Sequence, residues 1–344
     1  MKNFESYKSE FTKRAYNEGF SSDEISKCLN YSETLLKKNL PIIFNSSHLS
    51  ALVGYNKDYL NRVSKVNKTS YFYRDYYIPK KNGEKRLIRE PLPSLKQIQR
   101  WLLDNLFIKL PISPYAKAYR AKKGIRDHVR YHKKEEVVIT MDIEKFFDNL
   151  ESGLIVNILL SKGYSFQVAN LITKICTLND VLPQGAPTSP AISNILLYEF
   201  DNEISKYTNS KGLKYTRYAD DLAFSGSIQD VDTLIKIVKE NLAKINLKIN
   251  HSKTRVMSKK ARQIISGIVV NDKIQVPRKD RDDLRQAMYY IEKFSLEEHL
   301  KKIDCNKANY IEHLLGKANY MLKINPKDEK IKVIYNKLKV MKTG

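Results

Sequence analysis

Apolar positions change period several times along the chain, and each change marks off a segment. Over residues 1–40 they recur at helical spacing. Ser21-Ser22-Asp23 stands as an N-cap ahead of Glu24-Ile25-Ser26-Lys27-Cys28-Leu29, so helices are expected up to the stop at Pro41. A short helical pair, broken near Gly54, is expected over 47–60. Residues 71–79 and 85–88 are β-rich flanks around Lys80-Lys81-Asn82-Gly83, and Asn-Gly in that setting predicts a hairpin. Leu95, Ile98, Trp101, Leu102 and Leu106 share one helical face over 91–110.

Further along, Glu136-Val137-Val138-Ile139-Thr140-Met141 is β-branched and apolar and predicts a buried strand. Helices are expected at 152–162 and 166–177, then a turn-rich loop at 183–190 and a helix at 191–206. Residues 213–219 and 222–225 read as two short strands around Asp220-Asp221, followed by a helix at 230–245. Strands are expected at 247–249, 254–257, 264–270 and 273–276, the last two joined at Asn271-Asp272. From residue 279 the pattern is helical and basic. Strands interspersed with helices, then an all-helical tail, predict an α+β body followed by a helical domain.

Composition narrows the classes. The chain has 344 residues, 42% hydrophobic and 29% charged, which excludes wholesale disorder. Its net charge is +23, with +1 over residues 1–50 and +11 over 251–344. Tyrosines number 22, some beside the basic segments, as in Tyr71-Phe72-Tyr73 and Tyr76-Tyr77. Basic surface with stacking rings suits nucleic acid. A Lys-rich composition set by genome base content accounts for the same numbers, so charge alone leaves both readings open. Cys28, Cys176 and Cys305 lie far apart, without zinc spacing, and are expected as reduced thiols. With no bilayer-length apolar run and no leader at Met1, a soluble, cytoplasmic protein with no membrane partner is expected.

The candidate chemistry is acidic. Asp142 follows the strand at 136–141, and Asp220-Asp221 sits between two short strands. Adjacent like charges repel and raise each other's pKa. A divalent cation relieves that repulsion, and carboxylates on adjacent strands can hold two Mg²⁺ ions about 3.5–4 Å apart. For a bare Asp-Asp pair a simple polar hairpin turn is the favoured reading.

The flanking residues decide between them. Tyr218-Ala219-Asp220-Asp221 resembles the Tyr-x-Asp-Asp box of reverse transcriptases. Met141-Asp142-Ile143-Glu144-Lys145-Phe146-Phe147 resembles their first aspartate motif, and Leu182-Pro183-Gln184-Gly185-Ala186-Pro187-Thr188-Ser189-Pro190 resembles the loop between the two. All three stand in the family's order, and the likeness covers roughly residues 70–275, from Lys85-Arg86-Leu87-Ile88-Arg89-Glu90-Pro91 upstream to Lys253-Thr254 downstream. The resemblance implies a right-hand polymerase fold: an N-terminal helical region at 1–65, fingers at 66–135, a palm at 136–275 with a finger insertion around 150–180, and a helical thumb at 276–344. It implies that Asp142, Asp220 and Asp221 bind two Mg²⁺ ions, with the Ile143 carbonyl completing one shell. Lys81, Lys85, Arg86, Phe147, Gln184, Gly185 and Lys253 would then meet the dNTP, with Phe147 as the gate against a 2′-OH. Arg86 is favoured for the triphosphate because guanidinium binds phosphate bidentately.

Within the family the chain resembles the retron class, on the Pro-Gln-Gly-Ala-Pro-Thr-Ser-Pro loop, Tyr-Ala-Asp-Asp, Gly316-Lys317-Ala318-Asn319-Tyr320 and Ile324-Asn325-Pro326. His132 keeps the last position of the class's Asn-Ala-x-x-His, although Asn-Ala is absent, and Ile265-Ser266-Gly267 stands where Val-Thr-Gly is usual. Tyr218, His132, Ser266, Gly267 and Lys317 are accordingly expected at primer or RNA. The class implies a structured noncoding RNA as template and primer, a guanosine 2′-OH as the starting hydroxyl, and branched RNA–DNA (msDNA) as product. It also implies an anti-phage setting with a toxic effector encoded nearby. Alternatives are another compact bacterial reverse transcriptase, of abortive-infection or diversity-generating type, or an inactive RNA-binding scaffold.

Overall fold

The computed structural model describes residues 4–65, 70–79, 83–305 and 308–343. In chain order it runs α1 (Phe4–Asn17), α2 (Ser22–Lys37), α3 (Ser46–Val53), α4 (Lys57–Val63), β1 (Tyr73–Pro79), β2 (Lys85–Pro91), α5 (Pro93–Asn105) and α6 (Ile125–Val129). Next come β3 (Val137–Ile143), α7 (Ser152–Lys162), α8 (Phe166–Cys176), α9 (Ser189–Leu196), α10 (Tyr198–Ser210), β4 (Lys214–Tyr218), β5 (Asp221–Gly226) and α11 (Val231–Ala243). Then follow β6 (Ile249–Ser258), β7 (Ile264–Ile265), β8 (Ile268–Val269), α12 (Arg278–Phe294), α13 (Leu296–Lys302), α14 (Tyr310–Ile324) and α15 (Glu329–Thr343). The fold is α+β with antiparallel strand pairs.

Two compact units divide the chain. The first holds Met1–Pro114, Ile143–Glu203 and Lys236–Lys248; the second holds Tyr115–Asp142, Ile204–Ile235 and Ile249–Gly344. In the first, local signals set the helix ends. Ser21 closes a capping box with Glu24 at the start of α2, and Gly54 ends α3 in the left-handed region at φ 71°. β1 and β2 form the expected hairpin, Tyr73 opposite Pro91 and Pro79 opposite Lys85, while its turn at Lys80-Lys81-Asn82 lies outside the described residues. The buried Gln99 of α5 donates to the Ile175 carbonyl of α8 (2.8 Å) and to the Tyr73 hydroxyl (3.0 Å), a polar link inside an apolar core.

The second unit is built on a sheet of order β4-β5-β3-β6. Val138 of β3 and Ala223 of β5 belong to one buried cluster with Leu284, Met288 and Ile291 of α12, Leu314 and Ala318 of α14, and Ile334 and Leu338 of α15. The C-terminal helices therefore share the core of the sheet. His132 is fully buried, with its ring nitrogens 2.8 Å from Ser225 Oγ and 2.7 Å from Thr216 Oγ1; Thr216 Oγ1 also lies 2.8 Å from His128 Nδ1. Burial, reinforced by Lys214 and Lys117, pushes His132 down to about 3, and burial with His132 and Lys117 pushes His128 well below its ordinary value. The three cysteines are free thiols, and among the described residues no helix is long and apolar enough to cross a membrane.

Four expectations are corrected. The helix expected at 191–206 is two helices, its ladder interrupted at Leu197 (φ −89°, ψ 10°) while the apolar pattern runs on. The strands expected at 247–249 and 254–257 are one strand, β6, whose polar centre is exposed. The run at 264–270 is a hairpin turning at Ser266-Gly267, because two turn residues sit inside an otherwise apolar stretch. Asp221 is the first residue of β5, so the turn is Ala219-Asp220.

The buried imidazoles make stability acid-sensitive. Each is neutral in the fold and titrates near 6.5 once unfolded, so the unfolded state takes up protons first and stability falls as pH drops below about 6.5. For His132 alone the expected loss between neutral pH and pH 5 is on the order of 2 kcal/mol. Urea unfolding at pH 7 and pH 5 in an Asp220→Asn background, where the opposing Asp220 contribution is absent, measures it, and a flat profile there would remove the neutral-imidazole assignment.

Candidate active site

The acids meet through strand register. Asp142, near the end of β3, pairs directly with Asp221, the first residue of β5. Directly opposed residues keep their Cβ atoms about 4.5–5.5 Å apart, and like charges there are unfavourable. β5 in turn pairs with β4, Tyr218 opposite Asp221, through the two-residue turn Ala219-Asp220. Ala219 takes φ 58°, left-handed backbone that costs an L-residue roughly 1–2 kcal/mol. Its carbonyl accepts a hydrogen bond from Arg217 Nη1 (3.2 Å), and Arg217 is fully buried. A guanidinium inside the unit thus holds the turn that presents Asp220.

Two further side chains reach the acids. Lys253 Nζ of β6 donates to both Asp142 oxygens, at 3.0 and 2.9 Å. Ser266 Oγ donates to Asp221 Oδ2 at 2.7 Å. Asp142, Asp221, Lys253, Arg255, Ser266 and Gly267 line one hollow of about 210 Å³. Burial pushes the Asp220 carboxyl up to about 6, with the Asp221 and Asp142 charges adding to it. Burial also raises Asp221, against the Ser266 hydrogen bond. The Asp142 hydrogen bond holds the Lys253 ammonium above its ordinary value.

Whether this set suits a metal follows from its chemistry. Among the described residues no three His, Cys, Asp or Glu side chains are arranged, as they stand, to hold an ion. Asp142 is engaged by Lys253 and Asp221 by Ser266. The donors are nonetheless hard carboxylate oxygens, partly buried and mutually repelling, with an ammonium already drawn to one of them. Such a set fits a hard divalent cation rather than a soft metal.

The remaining candidates divide between the units. Tyr218 is half-buried, its ring 5.7 Å from that of His128. His132 uses both ring nitrogens inside the fold, so it supports the sheet and has no edge to offer RNA. Gly267 carries φ 82° in the β7–β8 turn, and Lys317 is exposed on α14. All of these belong to the second unit. In the first unit, Ile143 ends β3, and the buried Phe146 packs edge-to-face against the half-buried Phe147, ring centroids 5.2 Å apart. The Gln184 carbonyl accepts the Arg89 N–H at 2.7 Å. Gly185 has φ 125°, and a Cβ there would lie 2.7 Å from the Arg89 carbonyl oxygen, so glycine is required for this loop to meet β2. Lys85 and Arg86 are exposed on β2; Lys81 lies outside the described residues.

Burial of the acids, with their crowding, should weaken the metal-free fold. Asp220 has a raised folded pKa, so the folded state binds its proton more tightly and stability declines as pH rises through about 4 to 6. With EDTA at pH 7, Asp220→Asn is expected to raise the unfolding free energy by on the order of 1–3 kcal/mol. A urea titration giving equal or lower stability would contradict this electrostatic account.

Comparison with known proteins agrees with the geometry. The family profile described as reverse transcriptase (RNA-dependent DNA polymerase) matches residues 78–270. Retron Ec86 reverse transcriptase of Escherichia coli is 28% identical over 319 residues, covering 90% of this chain and 94% of that protein. Retron Ec83 reverse transcriptase, also from Escherichia coli, is 30% identical over 270 residues, covering 74% and 83%. Retron Mx65 reverse transcriptase of Myxococcus xanthus is 27% identical over 313 residues, covering 85% and 71%. Among solved structures, apo telomerase from Candida tropicalis aligns with a TM-score of 0.44 and 14% identity over 73% of this chain and 56% of that one. Enzymes of the matched family copy a nucleic-acid template from dNTPs with a divalent metal. The chain belongs to the reverse transcriptases, RNA-dependent DNA polymerases, and within them to the retron family.

Proposed function

We propose that this chain copies part of a structured noncoding RNA into DNA, starting from the 2′-OH of a guanosine in that RNA, to give branched msDNA. What carries the reading is the Asp142–Asp221 register with Asp220 on the adjoining turn. The retron relatives support it over an abortive-infection or diversity-generating enzyme. In the first step the 2′-oxygen attacks the α-phosphorus of a dNTP, a P–O bond forms, the α–β P–O bond breaks and pyrophosphate leaves. The hydroxyl proton goes to water, and the Lys253 ammonium supplies one to pyrophosphate before recovering its own from solvent. Asp142, Asp220, Asp221 and the Ile143 carbonyl would hold two Mg²⁺ ions, which would supply charge neutralisation for the transfer.

The other assignments follow the family likeness. Lys81, Lys85 and Arg86 take the triphosphate, Gln184-Gly185 the incoming nucleotide and template, and Phe147 the sugar edge. Tyr218, Gly267 and Lys317 serve primer or RNA, with His132 supporting the β4–β5 hairpin that carries Tyr218. In hand terms the N-terminal helices span 1–65, the fingers 66–135, the palm 136–275 with an insertion at 150–180, and the thumb 276–344. The basic C-terminal helices suit an A-form stem, which is read by shape and backbone. The complex restrains a toxic effector encoded nearby in an anti-phage system.

Primer extension with Mg²⁺ tests the polymerase, and Asp220→Asn with Asp221→Asn should bring it to background. Cells expressing the gene with its upstream region should yield copurified RNA–DNA from which debranching enzyme releases the DNA. Copurified nucleic acid without a 2′–5′ linkage would overturn the retron mechanism while leaving the polymerase. Phe147→Ala should raise rNTP incorporation relative to dNTP; unchanged sugar discrimination takes Phe147 out of the gate.

A further inference from the structure

The β7–β8 hairpin breaks a local rule at Ser266. Ile265 pairs with Ile268, so only Ser266 and Gly267 form the loop, and both have positive φ, 46° and 82°. Such tight hairpin loops favour Asn-Gly, because Asn enters the left-handed region more readily than other L-residues. Serine gains nothing there from backbone preference. Its hydroxyl instead donates to Asp221 Oδ2 at 2.7 Å, across 45 residues of sequence. A residue that is locally wrong and makes one specific long-range contact is the pattern of a functional position.

We propose that Ser266 is a positioning residue for the metal-binding carboxylate of Asp221. The turn fixes the hydroxyl, the hydroxyl fixes one carboxylate oxygen, and the other is left for coordination. Hydrogen bonds of this kind set the orientation of a ligand, and their loss commonly lowers metal affinity roughly 10- to 100-fold. This role differs from contact with primer or RNA, which the family likeness implies for the same residue. It rests on the reading of the three aspartates as a metal site.

The chemistry of the turn and of the hydroxyl predict opposite orders of variants. If the turn alone mattered, Ser266→Asn would equal or exceed wild type and Ser266→Thr, β-branched at positive φ, would be worst. If the hydroxyl matters, Ser266→Thr keeps function while Ser266→Ala and Ser266→Asn lose it. Mn²⁺ affinity of the full chain without substrate, measured by the electron paramagnetic resonance of free Mn²⁺, should fall about tenfold in Ser266→Ala and Ser266→Asn and stay within about twofold in Ser266→Thr. The half-saturating Mg²⁺ for single-nucleotide addition should follow the same order, with RNA affinity unchanged in all three. Wild-type Mn²⁺ affinity in Ser266→Asn overturns the proposal, as does a loss confined to RNA affinity. A wild-type chain that binds no Mn²⁺ overturns the metal reading itself, a result distinct from a wild type that binds it and variants that match it.

Discussion

The pairing of β3 with β5 is the constraint on which the site depends. Side chains alternate faces along a strand, so a slip of one residue would turn Asp142 away from Asp221 and present a core residue in its place. What prevents the slip is apolar. Val138, Ile139 and Met141 of β3 and Leu222, Ala223 and Phe224 of β5 are all buried, and each large side chain contributes roughly 1.5–3 kcal/mol when removed from water. Against that, the burial and, after it, the crowding that lift Asp220 to about 6 are a modest opposing effect. The sheet can hold acids where they repel because its interior specifies the register more strongly than the acids resist it.

Left-handed backbone stands beside those acids, as it does at turns elsewhere in the chain. Ala219, immediately before Asp220, has φ 58°; Ser266, on the Asp221 carboxylate, has φ 46°; Lys145, shortly after Asp142, has φ 44°. None of the three is a glycine, which would adopt these angles without steric cost. Each is held by its surroundings: the Ala219 carbonyl by Arg217, Ser266 by the two-residue turn and Asp221, and the Lys145 carbonyl by the Asn149 N–H at 3.0 Å. Backbone that tight leaves the acids little freedom to relax apart, and the Lys253 ammonium on Asp142 offsets part of their repulsion.

Much of this is legible in the residues themselves. The capping box at Ser21, the Asn-Gly hairpin signal and the apolar run before Asp142 are local, and local chemistry sets those elements. What is not legible depends on partners far away in sequence. Nothing near Arg217 shows that it would be buried holding the Ala219 carbonyl, although an Arg between tyrosine and threonine in a short strand is the kind of anomaly that marks a buried anchor. His132 is recognisable by position, yet its partners Thr216 and Ser225 lie on strands more than 80 residues away. The Ser266-Gly267 turn is masked because the apolar residues on both sides continue the appearance of one strand, and its one local signal is the Ser-Gly pair itself.

The two groups that quiet the acids differ in a way that bears on catalysis. Lys253 holds Asp142 with an ammonium on a flexible four-carbon stem, and its side chain is 60% exposed. Ser266 holds Asp221 with a short hydroxyl locked in a two-residue loop. An ammonium on such a stem exchanges readily for another cation, because its own charge is satisfied by water once it swings away. A hydroxyl in a tight turn has nowhere to swing. Asp142 is therefore the acid whose partner is replaceable and Asp221 the acid whose orientation is built in. On the mechanism proposed above, the exchange that frees Asp142 would also free the Lys253 ammonium to protonate the leaving pyrophosphate. Lys253 is thereby the exchangeable counterion of the site, and Ser266 the group that keeps its geometry constant.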